Sequence, residues 1–449
     1  MNTDDGLPPG LDSPPWVQTL RFVARPLEFL DECHDKLGEI FTLKLAGLGN
    51  WVLLSSPSDL KTLFTGPPET LHAGEANRRV FGAILGDSTV VTLDEGAHLQ
   101  RRRLLSPPFH GEAIKQHVDA MTGIAGAAAE SWPMGRPFSL RHALQQISLD
   151  VIRRVMFGVK QTPEQYQLGK SVIDLANMAA SPLMLMPRLQ WDFGRYSPWG
   201  RIVRVIRHAD IGIYREIARR RCFSQDENQH DLFSLLLRTR YEDGRYLSDR
   251  ELRDELVTML LAGHETTATA MAWTFERILS NPKILEKVLE ELGALGCGQL
   301  IEAETVPKLE YLDAIIKETH RLRPIMPIGG SRRVTAPFEV GGYRIPPGTI
   351  VTNCMFLLHK RPDLYPDPGK FMPERFFGKK PDPCEWTPFG GGIRRCLGMA
   401  FAATEMKVVL ATVLSRVRLQ IENPNAKIRR RGFFLVPDGG PRVCVVDRK

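Results

Sequence analysis

Residues Phe389 to Gly398, reading FGGGIRRCLG, place one cysteine, Cys396, directly behind a glycine run and two arginines. A buried cysteine usually behaves as a small inert apolar residue. It ionises only where positive charge, backbone N–H groups or a metal stabilise the thiolate. Gly390, Gly391 and Gly392 open backbone conformations closed to other residues and let the chain approach a flat ligand that a bulky side chain would hold away. The run LGMAFAATEMKVVLATVL that follows has apolar residues at helical spacing and no proline. Cys396 is therefore expected at or just before a helix N-terminus, where N–H groups and the dipole favour an anion. A lone cysteine after a glycine-rich turn is most often core packing. The spacing Phe389, Gly392, Arg394, Cys396, Gly398 is far more specific than that.

This spacing resembles the haem-binding loop of the cytochrome P450 superfamily. The resemblance implies that Cys396 is the axial ligand of haem b, that Arg394 pairs a haem propionate, that Phe389 packs beside the sulfur and that Gly398 completes the loop. Thiolate ligation pushes electron density onto iron and favours O–O cleavage, so the implied chemistry is oxygen activation rather than oxygen carriage.

Independent segments agree. The stretch LRDELVTMLLAGHETTATAMAWTFERIL is apolar nearly all round and free of proline, and it reads as one long buried helix. Gly263, Glu265, Thr266 and Thr267 in its middle are poor or polar occupants of such a helix. By pattern alone they could be a solvated stripe. AGHETT is similar to the family's oxygen-activation motif, which implies that Glu265 relays protons and that Thr266 holds the activated oxygen and its water. It also implies that Ala262 and Gly263 lie against the haem, with Gly263 leaving room for oxygen. His264 fills the motif's variable position and is expected to be structural.

Glu318 and Arg321 share a helix face in LDAIIKETHRLRP, which Pro324 ends. Such pairs are usually surface salt bridges of little consequence. The resemblance implies instead a buried network closed by Arg375 of FMPERF. Upstream, in DEGAHLQRRRLLSPPFH, His98 and Arg102 are four apart and reach one side of a helix together. A solvated basic face would look the same. The family places these two on haem propionates, which suit a guanidinium fork. Arg332 is a further propionate contact by its distance from FEVGGY, with Arg333 next door as the alternative.

With 43% hydrophobic and 25% charged residues in 449, the chain has the composition of an ordinary globular protein. The resemblance implies the family's fold, one domain over 1–449 that is mainly α with a smaller β part, a triangular prism of helices around a buried haem. The α-rich portion is expected over 95–322 and 396–416, and the β-rich portion near the N-terminus, about 325–375 and in the tail. FTLKL, WVLLS, FEVGG, GTIVTN and RVCVVD read as strands, GGYRIPPGT as a hairpin with a proline-glycine turn, and HKRPDLYPDPGKF as a meander.

Several function classes are excluded. Seven cysteines without a CxxC pair argue against a disulfide framework and a zinc ribbon, and suit a reducing cytosol. The glycine run lacks a P-loop ending, no dinucleotide fingerprint opens a βαβ unit, and HET at His264 does not continue to HExxH. The net charge of +7 is dispersed, without a nucleic-acid module. The N-terminus MNTDDGLPPGLDSPPW is neither signal peptide nor membrane anchor, so a soluble, cytoplasmic, bacterial-type enzyme is expected.

The resemblance implies separate electron donors, a ferredoxin or flavodoxin and its NAD(P)H-dependent reductase, with O2 as co-substrate. Arg394, Arg395 and Lys407 are expected to flank the docking face and speed encounter with acidic donors. The methionine-rich segment 176–199 lies where the family has its mobile lid, and its apolar groups suit either a greasy entrance, core packing or membrane contact. Val80, Phe81, Leu261, Ile328, Phe433 and Phe434 fall in pocket segments. Few of these carry charge, so an apolar substrate is expected, of terpenoid, steroid or fatty acyl type. The LPPG opening and SPPFHG resemble cyanobacterial and myxobacterial members acting on such lipids. The expected reaction is insertion of one oxygen atom into a C–H or C=C bond. A peroxide-using peroxygenase, an isomerase, or a non-catalytic haem sensor are the alternatives.

Overall fold

The computed structural model describes residues 6–158, 190–223, 231–296 and 301–448, with scattered positions between 168 and 183. Residues 184–189 and several others in the first half of the lid segment 176–199 therefore lie outside the described residues. Two helices begin the chain, α1 (Pro15–Ala24) and α2 (Pro26–Leu37), each opened by a proline whose missing N–H has no intrahelical partner to lose. β1 (Ile40–Leu45) and β2 (Gly49–Leu54) form an antiparallel hairpin, followed by α3 (Pro57–Thr65), β3 (Leu71–His72) and α4 (Ala73–Leu85). Helices then dominate: α5 (Glu95–Leu105), α6 (Glu112–Lys115), α7 (Val118–Ser131), then α8 (Leu140–Phe157), entered through the short β4 (Phe138–Ser139). α9 (Pro198–Phe223), α10 (Leu232–Arg238), α11 (Asp249–Leu279), α12 (Pro282–Ala294) and α13 (Glu310–Leu322) continue the series. Strands return with β5 (Gly329–Val334), β6 (Phe338–Val340), β7 (Tyr343–Ile345) and β8 (Ile350–Asn353), then the one-turn α14 (Met355–Leu358). A long loop leads to α15 (Met399–Arg416) and to β9 (Val417–Ile421), β10 (Ile428–Arg431), β11 (Phe434–Pro437) and β12 (Arg442–Arg448).

The expected α-dominated fold with a smaller β part is present. Its N-terminal portion is less β-rich than the sequence suggested, because α1 to α4 lie among the first strands. These helices are short and amphipathic, and Ser56 caps α3 through the Asp59 N–H at 3.2 Å.

The main sheet has the order β1-β2-β8-β5-β3, with only β2 and β8 parallel. Period-two alternation buries both of its faces. Phe41, Leu43, Trp51, Leu53 and Ile350 meet Phe22, Phe29 and Leu30 of α1 and α2. Val52, Leu54, Val334 and Val351 meet Leu60, Leu63 and Phe64 of α3 on the other side. The expected proline-glycine hairpin is corrected. The tight turn is Gly341–Gly342, with φ of +58° and +80°, and it joins β6 to β7. Two positive φ values suit a two-residue hairpin turn. The prolines that follow instead lead the chain out to β8, which pairs with β2 and β5.

α11 is the spine. Its 31 residues span about 46 Å. It starts on a capping box in which Ser248 and Glu251 satisfy each other's backbone N–H groups, and no proline interrupts it before Pro282. Its side chains are buried almost throughout from Leu252 to Ile278, apart from a stretch around Leu261 to Gly263. Charged residues in its first turns are buried in pairs: Arg101 of α5 reaches both Glu251 and Glu255 at 2.7 Å. That contact fixes α5 against α11. No helix among the described residues is long and apolar enough to cross a membrane.

Candidate active site

The loop before α15 holds Cys396 by backbone. Its N–H donates to the Phe389 carbonyl at 2.9 Å, and Gly398 caps the helix two residues later. The Phe389 ring turns toward His320 and Trp386, with centroids 5.3 and 5.9 Å away. Its demonstrated link to the cysteine is therefore the carbonyl. Gly391 and Gly392 are required by the protein itself, whereas Gly390 has open space beside it. A Cβ on Gly391 would lie 2.1 Å from the Phe64 ring, and one on Gly392 would lie 2.0 Å from the Phe64 carbonyl. Gly390 and Gly392 also take φ of +67° and +62°.

Cys396 keeps accessible surface although protein surrounds the sulfur closely. Burial raises its pKa. The Gly398 N–H and the charges of Arg102 and Arg395 oppose that rise. The surroundings thus favour a thiolate only in part, and a cation at the sulfur would complete the stabilisation.

Four residues expected to act together are brought together. His98 and Arg102 project from one side of α5, and Arg332 of β5 and Arg394 of the cysteine loop lie within electrostatic reach of them. Burial, and then the charges of Arg394, Arg102 and Arg332, push the His98 imidazole down to about 3. Its Nδ1 is buried without a hydrogen-bond partner. Burial also lowers Arg332 to about 9 and Arg394 to about 10. Arg332 lies within electrostatic reach of Arg394 and Asp94, whereas Arg333 pairs with Glu75 of α4 at 3.1 Å.

One carboxylate, Asp94, reaches into this cluster, directly to Arg394 and by charge to Arg332. Asp94 meets Arg394 at 2.7 Å and also accepts the Gly74 and Glu75 N–H groups at 2.6 and 2.8 Å. Asp94 was not singled out in the sequence. It stands at the N-cap position of α5 but makes no side-chain cap, so capping rules assign it the wrong work. Buried cations in excess over carboxylates call for an anionic partner. Together with the thiol of Cys396, this donor set fits a haem with its two propionates.

Glu265 and Thr266 occupy successive positions of α11 and diverge by about 100° around the helix. Glu265 is ion-paired with Arg141 of α8, accepts the Gln145 amide at 2.6 Å and lies 3.9 Å from Arg431 of β10. These partners line a polar cavity of about 640 Å³ between α8, α11 and the β10–β11 hairpin. Neither Arg141 nor Gln145 was visible as a partner in the sequence. Thr266 is half-buried, and its hydroxyl donates to the Ala262 carbonyl at 2.5 Å. His264 meets the Gln145 carbonyl at 3.1 Å, and burial pushes its pKa down. The room expected at Gly263 points elsewhere. A Cβ there would sit 3.2 Å from Ile152 of α8, so this glycine serves the close packing of two helices. Ala262 beside it keeps an exposed side chain.

Of the expected pocket residues, Val80, Phe81, Ile328 and Phe433 share one apolar cluster, and Phe81 and Phe433 stack with centroids 4.7 Å apart. Leu261 joins the same two rings from the larger helical core. Phe434, one residue into β11, belongs to neither cluster, since alternation along the strand turns it away from Phe433's side. Glu318 and Arg321 form a fully buried bidentate pair at 2.7 and 2.8 Å, with Arg375 at 3.4 Å. The expected basic docking face is thinner than the sequence implied. Arg394 turns inward to Asp94, and Lys407 is mostly buried beside Asp313 at 3.6 Å.

The family model described as Cytochrome P450 matches residues 8–445. A Mycobacterium tuberculosis protein named cytochrome P450 135B1 is 39% identical over 98% of this chain and 91% of its own length. Cytochrome P450 137 of the same organism is 34% identical over 98% and 91%, respectively. Among solved structures, a retinoic acid-bound cyanobacterial CYP120A1 superposes with a TM-score of 0.87 over 99% of both chains, at 26% identity.

Proposed function

Because this chain belongs to the cytochrome P450 family and is thereby a haem-binding monooxygenase, we propose that Cys396 supplies the axial thiolate and that the substrate is apolar, of terpenoid, steroid or fatty acyl type. When bound, the haem supplies oxygen activation, by which one atom of O2 enters the substrate and the other leaves as water. The observation that carries this reading is the set of Arg102, Arg332, Arg394 and His98 gathered beside the loop of Cys396, with His98 and Arg332 buried. The arginines receive the propionate carboxylates, and His98 offers its unpartnered Nδ1 to one of them.

Glu265 is the proton carrier of this reading. It stands between the cavity of about 640 Å³ and Thr266, and its pairing with Arg141 and Gln145 holds the carboxylate on the cavity side. Rotation away from those partners brings a proton toward the Thr266 hydroxyl, which already spans back to the Ala262 carbonyl. Phe81, Phe433, Leu261 and Ile328 give the substrate side an apolar lining with aromatic faces. The retinoic acid of the cyanobacterial relative, a terpenoid, supports an apolar substrate here. Electrons come from a ferredoxin or flavodoxin and its NAD(P)H-dependent reductase. The net charge of +7 favours an acidic donor.

The carbon monoxide difference spectrum of the reduced holoprotein tests the thiolate directly. The thiolate-type maximum is expected in wild type, and Cys396→His should convert it to the imidazole type; an imidazole-type maximum in folded wild type overturns the assignment. Thr266→Ala should keep that spectrum while NAD(P)H consumption diverts from product to hydrogen peroxide. Wild-type coupling in this variant removes Thr266 from the proton path.

A further inference from the structure

The connection between α4 and α5, residues 86–94, is short and irregular, yet side chains from several other elements take up its backbone groups. A surface loop ordinarily gives such groups to water. Here Asp254 and Glu255, neighbours on α11 that diverge by about 100° around the helix, reach two different peptide groups. The Ser88 N–H donates to the Asp254 carboxylate at 3.1 Å, and the Val90 N–H donates to Glu255 at 2.7 Å. From α4, Asn77 and Arg78 donate to the Val91 and Thr92 carbonyls at 3.1 and 2.7 Å. Gly86 opens the loop at a φ of +83°, and a Cβ there would lie 2.2 Å from the Asp254 carboxylate.

Val90 is the junction. Its N–H faces the acid of the spine helix, while its carbonyl accepts from the Arg394 guanidinium at 3.3 Å. Arg394 thus has two holders, the Val90 carbonyl in the middle of the connection and Asp94 at its end. Glu255 itself is completely buried, and its Oε2 has no hydrogen-bond partner. Its Oε1 accepts from both Arg101 and Val90, at 2.7 Å each. Burying a carboxylate is costly. Arg101 alone does not call for it, because Arg101 already meets Glu251 at 2.7 Å, and the Tyr241 hydroxyl and the Ser88 carbonyl also accept from it. What Glu255 adds is the acceptor for Val90.

On the reading that Arg394 pairs a haem propionate, we propose that Glu255 is a positioning residue for the cofactor: by fixing the Val90 peptide from the spine side, it sets how Arg394 reaches that propionate. A peptide group released from Glu255 is free to turn, and its carbonyl then withdraws one of the two acceptors that aim the guanidinium. Contacts between a guanidinium and a carboxylate depend on direction, so a misaimed Arg394 holds the propionate less tightly. A purely structural Glu255 would stabilise the fold and act on haem retention independently of Arg394.

Haem transfer from the loaded protein to an acceptor protein, run as a double-mutant cycle, separates the two. Glu255→Leu should speed release about three- to tenfold at an unchanged carbon monoxide spectrum. Glu255→Gln, whose side-chain carbonyl still accepts the Val90 N–H, should stay within about twofold of wild type. With Arg394→Ala already present, Glu255→Leu should add less than about twofold, because both act through one contact. Where Glu255→Leu does not load haem, Glu255→Asp carries the same cycle, since it keeps a charge for Arg101 and draws it back from Val90. Effects that multiply in the double variant, or release from Glu255→Gln as fast as from Glu255→Leu, overturn the role of Glu255 and leave the propionate reading standing. Unchanged release in Arg394→Ala overturns the propionate reading itself, and the role of Glu255 with it.

Discussion

Two buried ionic clusters flank the same core and are built on opposite principles. In the first, Arg321 is saturated: Glu318 takes it bidentately, and the carbonyls of His359, Pro368 and Lys370 accept its remaining N–H groups at 2.8, 2.8 and 3.2 Å. The Met372 N–H adds a donor to Glu318 at 2.9 Å. The charge of Arg321 closes within the chain, although Arg375 Nε and His359 Nδ1 beside it are buried without a hydrogen-bond partner. In the second, Asp94 pairs with Arg394 and acts by charge on Arg332, Arg102 has no ion pair among the described residues, and His98 Nδ1 has no partner. A closed cluster belongs to the fold, whereas an open one is fitted to something that arrives from outside.

The contrast can be broken at its strong end first. Glu318→Ala leaves Arg321 charged in the interior and should cost about 3–5 kcal/mol, read as a loss of soluble, haem-loaded protein and an early urea midpoint. Arg394→Ala should act in the opposite sense on the two states. The haem-free chain keeps or gains stability as cation repulsion falls, while haem leaves roughly tenfold to a hundredfold faster, about 1.5–3 kcal/mol, in transfer to an acceptor protein. Equal damage to both states would erase the distinction between the clusters.

A pH titration sharpens it further. The folded pKa of His98 is about 3 against an ordinary 6.5, so below 6.5 the unfolded chain binds a proton that the folded chain refuses. Stability of the haem-free protein should therefore fall as pH drops through that window, by about 1.4 kcal/mol per unit for this one group. His98→Asn should remove that contribution. His359, beside the closed cluster and also near 3, should retain its own whether or not haem is added. The smallest effect belongs to Arg375→Ala. Its guanidinium reaches Glu318 only at 3.4 Å, so about 1 kcal/mol in denaturant unfolding is expected.

What could be read before folding follows the range of the interactions. The spine helix was legible because an uninterrupted apolar run without proline is a local signal, and His98 with Arg102 was legible because four residues make one helical turn. The Glu318–Arg321 pair was local too, although its burial came into view only through the family resemblance. The partners of Glu265 were not legible. Arg141 and Gln145 stand more than a hundred residues away on another helix, and no periodicity links them. Asp94 was hidden behind a plausible capping role, and the first four helices behind their shortness. The contact of Gly391 and Gly392 with Phe64 was not legible, since Phe64 is over three hundred residues distant in the chain.

That contact ties two distant segments together. Phe64, seated on α3 against the main sheet, presses its ring and carbonyl into Gly391 and Gly392 and dictates the path of the chain toward Cys396. The loop is thus moulded by its own protein, as a casting is by its form. A side chain at Gly391 or Gly392 would therefore have to displace Phe64 from the sheet, so a change in the haem-loop sequence is felt as a change in the packing of α3.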